Sequence, residues 1–364
     1  MLRTVRSWLH GAWAVAVVAG VLYAPGTAHA DGAVPKWALV GSTGSLVRGA
    51  GATDAARLGT GTYEVVFKSD VSNCAYVATV GDPGAGVVSQ PAVATVASLS
   101  GNAEAIGVQT WDQSTGALAD LPFHVVTYCG TALGYAVVGS SGGLARGAHV
   151  TSTTHLGRGA FEVIFDKQVN RCAFNATVGS IGARPVGTPA EITVATRAGN
   201  NHGVFVAIVD RTGATHDASF HLGVTCGSSN LIGVINSDGT KARGPNVVSA
   251  TKLTGTNGGT YEVIFDTTVS SCGYAATIGE PAAGSVTQPV TITTATRAGN
   301  PNGVFVFIHL ANGLTVDEPF HLFVFCPGTT TAPPSSTSPP GDNPQDGAAT
   351  RPAPPTTEPP GVNG

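Results

Sequence analysis

The side chains best suited to chemistry recur as a set. Arg48, Arg146 and Arg243, Glu64, Glu162 and Glu262, Asp120, Asp217 and Asp317, and His124, His221 and His321 stand at matching places about a hundred residues apart. An Asp and a His four apart lie on one face of an extended strand, so Asp317 could orient His321 as a general base. No nucleophile accompanies the pair, and a set present three times fits a structural task, such as bonding a turn or a neighbouring strand. Each Glu reads as the solvent-facing half of an alternating strand, with Arg as its partner. Gly139-Ser140-Ser141-Gly142-Gly143 matches the Gly-x-Ser-x-Gly nucleophile elbow. That elbow requires a strand leading into a helix, whereas this segment reads as a turn between strands and becomes Asn236-Ser237-Asp238-Gly239-Thr240 in the third copy. Asn175-Ala176-Thr177 fits a glycosylation acceptor but falls within an expected strand. No catalytic residue, cofactor motif or metal-ligand spacing is assigned.

Three repeats must position these groups. Tyr63-Glu64-Val65-Val66-Phe67 returns as Phe161 to Phe165 and Tyr261 to Phe265, and Cys74 to Gly81 returns at Cys172 and Cys272. Each copy closes on Asp-x-x-Phe-His and a strand ending in Cys. The periods, 98 and 100 residues, exceed a solenoid unit, so each copy is expected to be a domain with its own core. Apolar residues alternate within short runs, as in Tyr261, Val263 and Phe265, and turns such as Asp238-Gly239 and Asn312-Gly313 separate them. The fold class predicted is all-β: three tandem antiparallel β-sandwich or jelly-roll-like domains at 31–130, 131–228 and 229–327.

The six cysteines fall two to a copy, and the repeat selects one pairing among fifteen: Cys74 with Cys129, Cys172 with Cys226, and Cys272 with Cys326. Disulfides need an oxidising compartment. The N-terminus agrees: Arg3 and Arg6 precede an apolar run from Gly11 to Ala24, and Ala28-His29-Ala30 suits cleavage before Asp31, so 1–30 reads as a signal peptide. Residues 328–364, rich in Pro, Thr, Ser and Gly, are expected to form a disordered tail. Charged residues are 11% of the chain and the formal net charge is −4, which gives no basic field for nucleic acid or an anionic membrane.

Gly259 to Phe265, Cys272 to Gly279, Arg297 to Val306 and Pro319 to Cys326 resemble β-rich modules of secreted actinobacterial proteins. Such modules occur singly, in tandem or at the tips of collagen-like proteins, and distantly resemble the β-sandwich knobs of phage tail fibres. The resemblance covers 37–327 and implies the fold and an exported setting, with no activity to carry over. A collagen-like stalk is not expected, since no Gly-X-Y tract is present.

These readings converge on a secreted or cell-surface protein that is not an enzyme and binds a surface glycan or protein through linked copies. The alternatives are a structural envelope or matrix protein that self-associates, and an exported hydrolase. Trp37 and Trp111, the only tryptophans after the signal segment, could form an aromatic platform for sugar or could pack in the core. Phe323 and Phe325 lie opposite the core-facing parity, which predicts a buried contact with another domain or subunit, or a strand covered on both faces.

Overall fold

The computed structural model describes residues 35–327 apart from 132–133, 184–186, 228–229, 255–257 and 287. The expected signal peptide and tail lie outside the described residues. Repeat 1 comprises β1 (Lys36–Val40), β2 (Leu46–Ala50), β3 (Ala52–Gly59), β4 (Thr62–Phe67), β5 (Ala75–Val80), β6 (Ala92–Leu99), β7 (Asn102–Asp112), β8 (Ala117–Leu118) and β9 (Phe123–Tyr128). Repeat 2 comprises β10 (Gly134–Val138), β11 (Leu144–Ala148), β12 (Val150–Gly157), β13 (Ala160–Phe165), β14 (Ala173–Val178), β15 (Glu191–Thr196), β16 (Gly203–Val209) and β17 (Phe220–Thr225). Repeat 3 comprises β18 (Leu231–Ile235), β19 (Lys241–Arg243), β20 (Val247–Lys252), β21 (Thr260–Phe265), β22 (Gly273–Ile278), β23 (Val290–Thr296), β24 (Gly303–Leu310) and β25 (Phe320–Phe325).

The fold is all-β, and each repeat is a pair of antiparallel sheets. In repeat 1 the orders are β2-β1-β9-β5 and β3-β4-β7-β6, with β8 beside β7, and the other two repeats reproduce both orders. Pairing the first strand with the last, and the fourth with the seventh, wraps the chain in the manner of a jelly roll. The alternation supplies the reason: Tyr63, Val65 and Phe67 of β4 turn inward while Thr62, Glu64 and Val66 are only partly buried. Each pair of sheets encloses its own core, centred on Tyr63 and Phe123, on Phe161 and Phe220, and on Tyr261 and Phe320. The tight turns need glycine where predicted. Gly239 has φ +87°, and a Cβ there would lie 2.2 Å from the Lys252 nitrogen.

Disulfides join Cys74 to Cys129, Cys172 to Cys226 and Cys272 to Cys326. Each ties the start of an edge strand, β5, β14 or β22, to the end of the strand paired with it.

The reading of the copies as self-sufficient omits a fourth core. Trp37, Leu39, Val77, Val126, Tyr128, Tyr135, Val137, Ile232, Val234, Phe323 and Phe325, from all three repeats, form one further buried cluster. It lies on the second face of the sheets containing β1, β10 and β18, which explains why β5, β9, β14, β17, β22 and β25 are buried along their whole length.

Candidate functional site: the seams between repeats

The recurrent polar residues meet where one repeat joins the next. An edge strand leaves backbone N–H and C=O groups unpaired, and burying them without partners costs free energy. In each repeat the edge strand of the disulfide-bonded sheet is answered by the following repeat. The Tyr76 N–H donates to His221 Nδ1 at 2.9 Å, the Phe174 N–H to His321 Nδ1 at 2.9 Å and the Tyr274 N–H to His124 Nδ1 at 3.0 Å. Two residues along each strand, the Ala78, Ala176 and Ala276 N–H groups donate to the hydroxyls of Thr177, Thr277 and Thr79, each at 2.9 Å. Those hydroxyls donate back to the carbonyls of the same alanines at 3.1 to 3.3 Å. The cycle runs from repeat 2 onto 1, from 3 onto 2 and from 1 onto 3, so the chain closes into a ring.

Local strand pairing sets up this match. His124 is opposite Thr79 in the β5–β9 ladder, and His221 and His321 are opposite Thr177 and Thr277 in the corresponding ladders. One cross-strand pair therefore offers two acceptors to alternate N–H groups on the neighbour's edge. The imidazoles also lie against the aromatic rings of that edge, with centroids 5.0 to 5.1 Å apart for Tyr76–His221, His124–Tyr274 and Phe174–His321.

Accepting at Nδ1 fixes each histidine as the neutral tautomer with its proton on Nε2. That proton is donated to the Ser180 carbonyl from His221 at 2.9 Å and to the Glu280 carbonyl from His321 at 3.2 Å. Burial drives all three histidines down to about 3.

The recurrent arginines complete the seams. The Nε of Arg146 donates to the Cys74 carbonyl at 2.8 Å, that of Arg243 to Cys172 at 3.0 Å and that of Arg48 to Cys272 at 3.2 Å. The Arg146 guanidinium also lies over the Tyr76 ring, 5.6 Å from its centroid. Desolvation at the seam lowers Arg243 to about 10.

The Asp–His dyad that the spacing allowed does not form, and the histidines take the structural role expected of a repeated set. Asp120, Asp217 and Asp317 lie before the last strands and cap the turns that open β4, β13 and β21. They accept from the N–H groups of Gly61, Gly159 and Gly259 at 2.7 to 2.8 Å, and from Arg57, His155 and Lys252. Glu162 and Glu262 pair with Arg197 and Arg297 rather than with the seam arginines. In repeat 1 the equivalent of Arg197 is Leu99. The Gly139–Gly143 segment is a turn between β10 and β11, closed by Gly139 N–H to the Gly143 carbonyl at 2.8 Å, with no helix after it. Asn175 is buried and donates to the Ala275 carbonyl across a seam at 3.1 Å.

Trp37 is 1% exposed in the shared core, and Trp111 is 7% exposed with its Nε1 donating to Thr95 Oγ1 at 3.1 Å. Neither ring presents a face to a sugar. Phe323 and Phe325 reach another repeat, their centroids 6.3 and 6.4 Å from that of Tyr128.

No family model, curated protein or solved structure matches the chain.

One seam group was not anticipated. Glu191, at the start of β15, is buried at the junction of repeats 1 and 2, and its Oε1 accepts from Gln113 Nε2 at 2.8 Å. Desolvation raises its carboxyl to about 8. Val93 and Thr291 stand at this place in the other repeats, so repetition gave no signal for it.

Among the described residues, no group of three or more His, Cys, Asp or Glu could hold a metal ion, and no helix is long and apolar enough to cross a membrane.

Proposed function

We propose that the protein is a secreted, non-enzymatic binding head that engages a surface glycan or protein through the outward-facing edges of its three repeats. The reading rests on the ring itself, which commits the recurrent His, Thr and Arg to the seams and turns the opposite edge of every repeat outward. Those outer edges are β2 with β3, β11 with β12 and β19 with β20. They are rich in Thr and Ala and carry exposed aliphatic side chains: Leu58 and Leu156 at matching places near the ends of β3 and β12, and Val248 at the opposite end of its strand, in the bulge that opens β20. β-Bulges in β3, β12 and β20 kink these edges and blunt them against strand-to-strand aggregation. Three weak contacts on one body gain in avidity when a repetitive target engages them together.

Retention of the mature protein on peptidoglycan, chitin, cellulose and intact bacterial cells tests this reading. Saturable retention is expected on at least one surface, falling stepwise as Leu58→Glu, Leu156→Glu and Val248→Glu are combined. No retention on any surface, with self-association instead, would move the protein to the structural class.

A further inference from the structure

The three seams share the bonds made by the recurrent His, Thr and Arg and differ in their apolar contacts. Trp37, Tyr135 and Ile232 occupy the same place in β1, β10 and β18, and each lies at a seam beside the first residue of a neighbour's edge strand. Those residues are Gly273 for Trp37, Ala75 for Tyr135 and Ala173 for Ile232. The largest ring meets the smallest residue: a Cβ on Gly273 would lie 2.6 Å from Trp37 Cε3. Tyr135 clears the Ala75 methyl and donates its hydroxyl to the Asn73 carbonyl at 2.9 Å.

The shared core is graded in the same way. Val126, Gly223 and Phe323 stand at one register position in β9, β17 and β25, and Tyr128, Thr225 and Phe325 stand two residues further on. Tyr128 lies directly over Gly223, where a Cβ would meet its ring at 2.3 Å. Three copies built like repeat 3 would place six phenylalanines in this core, and three like repeat 2 would leave it hollow. A close-packed interior tolerates neither.

We infer that each repeat carries a repeat-specific docking surface, so that the partner completing any two repeats is the third and not a second copy of either. The surface around Trp37 in repeat 1 takes the glycine-headed β22 of repeat 3, and the bare patch at Gly223 in repeat 2 takes Tyr128 of repeat 1. The polar bonds supply attachment common to all seams, while the size-matched pairs supply the order. The assembly closes at three because each surface is already taken by its own partner.

Exchanging two residues in the full-length mature chain tests this. Trp37→Ile together with Ile232→Trp leaves composition unchanged but sets the indole against the Ala173 methyl and leaves a void at Gly273. The Tm is expected to fall by about 5 to 10 °C. Adding Gly273→Ala and Ala173→Gly moves the matching small residues to the new seam and is expected to restore at least half of that loss. If the double exchange yields no soluble protein, the comparison is read as recovery of soluble monomer in the quadruple variant. An unchanged Tm in the double exchange, or no recovery in the quadruple variant, would overturn the inference.

Discussion

A histidine whose Nδ1 accepts from a buried backbone N–H cannot be protonated without setting two donors face to face. His124, His221 and His321 are all held in this way, and each is brought down to about 3 from an ordinary value of 6.5. A base whose folded value is depressed contributes stability that is present above its unfolded value and is lost as pH falls from 6.5 toward 3. Each imidazole removes about 1.4 kcal/mol per pH unit in that window. Glu191 acts in the opposite sense. Its carboxyl titrates at about 8 in the fold against an ordinary 4.5, so its contribution is complete below 4.5 and is lost as pH rises through 8. Together they place maximum stability near pH 6.5, falling steeply on the acid side and gently on the alkaline side. Denaturant midpoints measured from pH 4 to 9 check this. Glu191→Gln, which keeps the hydrogen bond from Gln113, should abolish the decline between pH 6.5 and 8 and steepen the acid limb between pH 6.5 and 4.5, where the carboxyl no longer offsets the histidines. An alkaline limb unchanged in that variant would remove Glu191 from the account.

At the scale of elements, the decisive feature is an edge strand capped by side chains instead of by another strand. Thr177→Val keeps the shape of the side chain but leaves the Ala78 N–H and carbonyl without their seam partner. A loss of about 1 to 3 kcal/mol is expected, and amide exchange should accelerate at Ala78 more than at Ala176. Equal protection at Ala78 in the variant would show that the hydroxyl does not seal the edge. Much of the element structure was legible in the sequence. Period-two alternation located strands such as Tyr63 to Phe67 and Tyr261 to Phe265, the repeat selected the disulfides, and the apolar second face at Phe323 and Phe325 pointed to a covered surface. The seams were not legible, because their bonds join residues 71 to 224 positions apart and a list of equal copies is the same for a string and for a ring. A signal was nonetheless present: Ala75–Val80 and Phe123–Tyr128 are mainly apolar on both parities, as expected of strands with no solvent face. The Asp–His spacing makes no dyad because Asp317 lies outside the final strand, which begins at Phe320.

For the whole molecule, the repeats are three sandwiches and one body. Each has its own core and disulfide, yet the described residues fall within a single compact unit, and the fourth core exists only when all three repeats are in place. The rigid spacing on which the proposed three-point binding depends comes from this closure. Differential scanning calorimetry of the intact mature protein at pH 6.5 tests it most directly. Interlocked repeats predict one transition with a calorimetric enthalpy equal to the van't Hoff enthalpy. Separable transitions, or a calorimetric enthalpy about three times the van't Hoff value, would show that the repeats unfold independently and would contradict the ring.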